Sequence, residues 1–271
     1  MSDIMSLAYL LLLVFATTIF AFALWKIRQV HLKLYKIDEH VYQASNVLFR
    51  QFEALIGIYL DCGFTKGLPF TRGWAASPDF LKILVNHVLE TRPKLVVECS
   101  SGVSTVVLAQ CAKRCGIGHI FSLENDSRYA AQTRELLGHH MLEDWATVID
   151  APLIEYDISG GVWRWYDLAN VPKVDIDLVV VDGPPNTVGK SARYPALPLL
   201  NPRLRRSGIM ILDDANRSQE REAIEGWKRE VPDLTVRFLD CEKGCAIIRF
   251  GDGGDMAWQK KSKDPLQKSP I

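Results

Sequence analysis

The sequence lacks an excess of charge of either sign. Its 32 Lys and Arg balance 32 Asp and Glu, so it offers no basic footprint for a nucleic-acid partner. It also lacks internal repeats, which argues against a solenoid or propeller. Cysteine is sparse and scattered: six residues in 271 do not form the dense framework of a small secreted domain, and a chain of this length can bury its own core. Two C-x3-C pairs, Cys111/Cys115 and Cys241/Cys245, raise the question of zinc. Zinc pairs favour turns and the first pair falls mid-helix, so buried structural thiols are the better reading. Residues 251–271 have almost no apolar content and are expected to be disordered.

Charge is missing altogether from Ile4 to Trp25. A helix of about 22 residues at 1.5 Å per residue spans a hydrocarbon core of about 30 Å. The stretch reads as a transmembrane anchor over residues 1–25. A cleaved signal peptide is the competing reading, with Ala21-Phe22-Ala23 as a cleavage site. Against it, the N-terminal flank holds Asp3 and no basic residue, and the apolar run exceeds a signal's h-region. Lys26, Arg28, Lys33 and Lys36 follow the run while nothing basic precedes it, so the positive-inside rule puts the large domain in the cytoplasm.

Over residues 26–62 the apolar positions Ile27, Val30, Leu34, Ile37, Val41, Ala44, Leu48, Leu55 and Ile58 alternate steps of three and four, with Gln51 the one polar member. This seam admits a homodimeric coiled coil through residues 27–58, or a helix folded down onto its own domain. Glycines, Pro69 and Thr65 in residues 63–73 then break the helix. Residues 63–250 read as one α/β domain of alternating strands and helices. Ser77-Pro78-Asp79 opens a helix with Ser77 as N-cap, preceded by Trp74, which either covers a bound cofactor or staples the helix start. Tyr194 to Arg205 is expected to be helical and to stop at Ser207-Gly208, ahead of a strand over residues 209–212.

The organising stretch is Leu95 to Thr105. An apolar strand ends near Glu98, turns through Ser100, Ser101 and Gly102, and opens directly into a helix containing Ser104. That geometry leaves a crevice at the strand's carboxyl end, where helix amides point outward. A second buried-strand pattern closes on Glu124, at the spacing where an acid accepts hydrogen bonds from ribose hydroxyls. The ligand expected is adenosine-like. Ser100, Gly102 and Thr105 make a poor Gly-x-Gly-x-x-Gly cradle for a pyrophosphate, which disfavours a nicotinamide oxidoreductase.

At these residues the chain resembles the class I S-adenosylmethionine-dependent methyltransferases. It looks most like a bacterial branch reading Glu-Leu-Gly-Ser-Gly-Val-Ser-Thr at this point. The likeness continues through Arg72-Gly73-Trp74-Ala75-Ala76-Ser77-Pro78-Asp79-Phe80, Val181-Asp182-Gly183-Pro184-Pro185, Arg193-Tyr194-Pro195-Ala196-Leu197 and Ile211-Leu212-Asp213-Asp214-Ala215. It implies a Rossmann-like seven-stranded sheet with helices on both faces and the last strand antiparallel. It also implies S-adenosyl-L-methionine as cofactor, held by Glu98, Ser100, Gly102, Ser104, Glu124, Asn125 and Asp182, with Asp150 and Ala151 bordering the adenine. Ser100 departs from the pattern, standing where the family has its first motif glycine, and its Cβ disfavours a positive φ at a tight turn.

Asp182, Asp213 and Asp214 end two further strands at the same edge. Converging carboxylates repel unless one is protonated or a cation neutralises them, and an all-oxygen set suits Mg²⁺ or another hard divalent ion. The resemblance implies such an ion on a substrate diol; alternatively Asp182 touches substrate or acts as general base and the Asp213-Asp214 pair caps loops. Asp182 and Asp213 are the catalytic candidates. Lys190, Arg193 and Tyr194 either steer an anionic acceptor or form a solvated loop. The function expected is O-methyl transfer to a small-molecule, glycan or lipid-linked acceptor. A catalytically inactive, membrane-tethered scaffold of the same fold is the alternative.

Overall fold

The computed structural model describes residues 2–71 and 73–250. The expectation for residues 251–271 therefore lies outside the described residues. The chain forms two compact units, one ending at Arg50 and one beginning at Gln51.

The first unit is supplied by α1 (Ser2–Cys62). No glycine or proline interrupts the chain before Gly57, and leucine, alanine, phenylalanine and isoleucine fill its first turns. Its most apolar window has a mean hydropathy of 2.5 and none of that window is buried. By length and composition this helix is able to cross a membrane. The two threonine hydroxyls inside the apolar run are satisfied locally: Thr17 Oγ1 donates to the Leu13 and Val14 carbonyls at 3.0 and 2.9 Å, and Thr18 Oγ1 to Val14 at 2.7 Å.

The second unit opens with the last turns of α1. Ile58 and Cys62 are fully buried in its core. α2 (Pro78–Thr91), β1 (Leu95–Cys99), α3 (Val103–Cys115), β2 (His119–Glu124), α4 (Ser127–His140) and β3 (Ala146–Asp150) follow in alternation. A hairpin of β4 (Leu153–Ile158) and β5 (Gly161–Tyr166) precedes β6 (Ile176–Val181), α5 (Ala196–Leu200), β7 (Leu204–Asp213), α6 (Ser218–Glu230), β8 (Leu234–Leu239) and β9 (Cys245–Phe250). The seven-stranded sheet runs β3-β2-β1-β6-β7-β9-β8, with β9 antiparallel to both neighbours. Chain order reverses between β1 and β6, the switch point where an open sheet leaves a crevice.

Strand side chains alternate between two cores. Val96, Leu178, Val180, Ile209 and Ile211 pack with α2, α3 and α4, while Val97, Val179, Val181, Met210 and Leu212 pack with α5, α6 and the hairpin. Both faces are covered, so the central strands are continuously apolar.

Three details differ from the expectations. The helix over residues 194–205 shrinks to α5 and a 3-10 turn over Asn201–Arg203, because Pro198 and Pro202 cannot donate to a continuing helix. The break at Ser207-Gly208 falls inside β7, where the register against β6 jumps from Ile176↔Leu204 to Leu178↔Ile209; it is an irregularity within a strand, not a gap between a helix and a strand. Ser77 sits at the N-cap, but its hydroxyl donates to Asp79 Oδ1 at 2.6 Å instead of accepting from the helix.

Asp79 thereby joins separate segments. Its Oδ1 also accepts from Phe80 N at 3.0 Å, its Oδ2 accepts from Glu242 N at 2.7 Å, and its own N–H donates to Gln51 Oε1 at 3.0 Å. Asp79→Ala is expected to lower stability by about 2 kcal/mol, since it strands buried donors that now meet a charged acceptor. A thermal melt of the full chain in detergent reads this as a drop in Tm.

Candidate active site

The turn between β1 and α3 is built from small residues at unusual backbone angles. Ser100 lies at φ 118° and Gly102 at φ 148°, a region L side chains rarely adopt. A Cβ on Gly102 would meet nothing within 4 Å, so open space lies over this residue. Its N–H donates to Thr105 Oγ1 at 3.0 Å. Thr105 Oγ1 in turn donates to Glu98 Oε2 at 2.6 Å, and Ser122 Oγ donates to the same oxygen. Glu98 is fully buried and its Oε1 meets no donor of good geometry. Burial raises its pKa, while the hydroxyls of Ser104, Ser122 and Thr105 hold it down. Glu98 and Ser104 thus sit beneath the turn and brace it.

Glu124 ends β2 one strand away. Its Oε2 accepts from Ser101 Oγ at 2.9 Å and its Oε1 from Asp126 N at 3.0 Å. Each oxygen has a second lone pair for a ligand hydroxyl. Asn125 beside it is half-buried. Ala151 is buried, and its N–H donates to the Glu124 carbonyl at 2.7 Å, whereas Asp150 is exposed and paired with Arg134 at 2.6 Å. Trp74 is 80% exposed and staples nothing.

Tyr166 ends the hairpin, the last residue of β5. It is fully buried, and burial pushes its hydroxyl pKa well up. A Cβ on Gly183 would stand 2.3 Å from its Oη and 3.2 Å from Ser100 Cβ. The glycine of Val-Asp-Gly-Pro-Pro therefore makes room for Tyr166 against the β1 turn.

Asp182, Asp213 and Asp214 do converge, with ligand atoms within 4.8 Å of one another. Arg193 is buried among them. Its Nη2 donates to the Asp182 carbonyl at 2.6 Å, to Asp214 Oδ2 at 2.8 Å and to Asp182 Oδ1 at 3.4 Å; its Nη1 donates to the Asp213 carbonyl at 2.9 Å. Its Nε faces Glu220 Oε1 at 3.7 Å, and Arg217 reaches Asp214 from the rim at 2.8 Å. Asp213 is fully buried with no donor of good geometry on either oxygen, so burial and its two acidic neighbours hold its pKa well above the usual range. Burial lifts Asp182 to about 6, with Arg193 pulling down and Asp214 pushing up.

Of the three loop residues, only Arg193 turns inward on the acids. Lys190 pairs with Glu222 at the surface, and Tyr194 stacks on Trp163 at 4.5 Å while its hydroxyl donates to Glu230. A signal for Arg193 is its position as a lone charge in the apolar run from Ala192 to Leu197, where a charge must find a buried partner. Glu220, buried in the first turn of α6, is a residue sequence reasoning passed over. Among the described residues the three aspartates are the one group of three or more potential metal ligands; Cys111 instead lies 3.4 Å from Cys62, thiol to thiol. A surface groove lined by Leu168, Lys173, Asp175 and Arg203 lies at the amino ends of β6 and β7, away from these groups.

Residues 97–215 match the family model of a methyltransferase domain. No curated protein matches the chain. Among solved structures it is similar to the SAH-bound methyltransferase PaMTH1 of Podospora anserina, at TM-score 0.53 and 16% identity over 78% of this chain and 96% of that one. A caffeoyl-CoA O-methyltransferase candidate from Staphylococcus aureus gives TM-score 0.50 and 17% identity over 80% and 98% of the two chains. An O-methyltransferase candidate from Klebsiella pneumoniae gives 0.50 and 18% over 73% and 90%. The fold is the Rossmann-like methyltransferase fold.

Arg193→Met is expected to destabilise the protein by about 3–5 kcal/mol, because it leaves several buried carboxylates without their guanidinium. Arg193→Lys should recover part of the loss, a point charge being unable to bridge three groups at once. In a ¹³C-carboxyl NMR titration Asp182 should titrate near pH 6, and higher in whichever Arg193 variant remains folded.

Proposed function

We propose that this chain is an S-adenosylmethionine-dependent O-methyltransferase. The observation that carries the reading is the meeting, at the carboxyl ends of β1, β2, β6 and β7, of a turn with open space over Gly102, the Glu124 carboxylate and Asp182. The residues fit the cofactor: Gly102 lets a ligand approach the backbone, Glu124 offers lone pairs to ribose hydroxyls, and Ala151 is small where an adenine would border.

Bound there, S-adenosylmethionine supplies an electrophilic methyl group on a sulfonium. The work left to the protein is to align an acceptor oxygen and to take its proton. Asp182 accepts that proton at Oδ1 or Oδ2. Arg193 fixes the orientation of Asp182 and supplies the positive charge that lets several acids share the edge. The donor set also fits a hard divalent cation: Asp182, Asp213 and Asp214 would hold it, and it would supply Lewis acidity toward the acceptor hydroxyl. Arg193 already donates to two of those three side chains, so we assign the neutralising role to the guanidinium.

The anchor belongs to the same proposal. Lys26 at the end of the apolar run lies over the Trp25 and Phe22 rings, 5.3 and 5.7 Å from their centroids. An aromatic–basic girdle of this kind suits a membrane interface. A single-pass protein with its catalytic unit in the cytoplasm would meet a small-molecule, glycan or lipid-linked acceptor at the membrane surface.

The positive φ of Ser100 and the internal bonds of Glu124 favour a second reading, an inactive tethered scaffold of the same fold. Titration calorimetry of the full chain with S-adenosylmethionine separates the two. The enzyme reading expects saturable binding, weakened about 10- to 100-fold by Glu124→Ala, the loss of one or two hydrogen bonds to a charged acceptor. No binding by the native chain, with binding gained in Ser100→Gly, would establish the scaffold.

A further inference from the structure

The first unit presents a patterned apolar face. Ile27, Leu34, Val41 and Leu48 recur every seven residues, and Val30, Ile37 and Ala44 fall three residues after the first three of them. These are the a and d positions of a heptad repeat. All seven are exposed, the six larger ones by between 57% and 64%. The register stops where the second unit begins. Gln51, the next d position, is 5% exposed and spends its amide oxygen on Asp79 N. The long seam thus divides: its last turns cover their own domain, and residues 27–48 keep an apolar stripe of about three heptads.

Charge placement points to what covers the stripe. In a parallel, in-register pair of helices, a g residue meets the e residue five positions later on the other chain. Lys33 is at g and Asp38 at e, so they pair across the seam twice by symmetry. Lys26 meets His31 and His40 meets Ser45, so no acid faces an acid and no Lys or Arg faces another across this register. An antiparallel pair would set g against g and lose the Lys33–Asp38 match.

We propose that residues 27–48 form a parallel, in-register coiled coil with a second copy of this chain. The proposal rests on neither the methyltransferase reading nor the membrane reading. A shared membrane would strengthen it, because two anchored helices already point the same way and meet at high effective concentration.

The test uses the full chain in detergent, with the native protein as control, since five of its six cysteines are buried and the sixth half-buried. Under mild oxidation Leu34→Cys, at an a position, should cross-link to a dimer, and Glu39→Cys, at the outward f position, should stay at the native background. Sedimentation should show a dimer that Lys33→Glu weakens and Lys33→Glu with Asp38→Lys restores, since the swap re-forms both cross-chain pairs. A monomer at all concentrations would overturn the proposal. So would equal cross-linking at Leu34→Cys and Glu39→Cys, the mark of random collision or of a helix lying along the bilayer, or a charge swap that restores nothing.

Discussion

Several carboxylates can share one buried edge only if something positive is built in among them. Asp182, Asp213, Asp214 and Glu220 are drawn together because β6, β7 and α6 lie side by side at the sheet's carboxyl edge. In a low-dielectric site their mutual repulsion would open that edge or protonate most of them. Arg193 resolves the conflict by donating at once to side chains and carbonyls from the ends of both strands. Trp227 Nε1 donates to the neighbouring Tyr194 carbonyl at 2.8 Å and pins the segment that carries the arginine. The strand ends, the loop and α6 are in this sense held by one planar cation.

The acids around that cation differ in pairing and burial. Asp214 is paired with both Arg193 and Arg217. Asp213 lies where burial favours its neutral form, and Asp182 is the member with partial access to solvent and an intermediate pKa. Acids pushed apart in this way are what proton transfer near neutrality requires. Across the switch point, Glu98 braces the Ser100–Gly102 turn from below while Glu124 faces its rim through Ser101. Tyr166 fits between the two halves against Gly183.

Much of the fold was legible because its signals are local. Continuous apolar runs ending on acids gave β1, β2 and β6 to within a residue or two, and the antiparallel last strand that the resemblance implied is β9. Residues 194–205 misled because apolar content resembles a helix until the spacing of Pro198 and Pro202 is weighed. The site was legible at its strand ends and not in its neutralisation. That Arg193 turns inward while Lys190 and Tyr194 face elsewhere depends on how a loop folds over two distant strands, which no spacing encodes. The seam over residues 27–58 was ambiguous for a physical reason as well: one apolar stripe serves either partner, and Gln51 turns to its own domain by accepting from Asp79, far along the chain.

The central claim is that the carboxyl edge at the β1–β6 switch point holds an adenosyl cofactor with its reactive end toward Asp182. The most direct measurement is a crystal structure of the protein with S-adenosylhomocysteine. The account predicts ribose hydroxyls on the Glu124 carboxylate, the ligand passing over Gly102, and the sulfur directed to Asp182. Density for the ligand in the groove at the amino ends of β6 and β7, or a carboxyl edge closed over Gly102 by Tyr166, would contradict it.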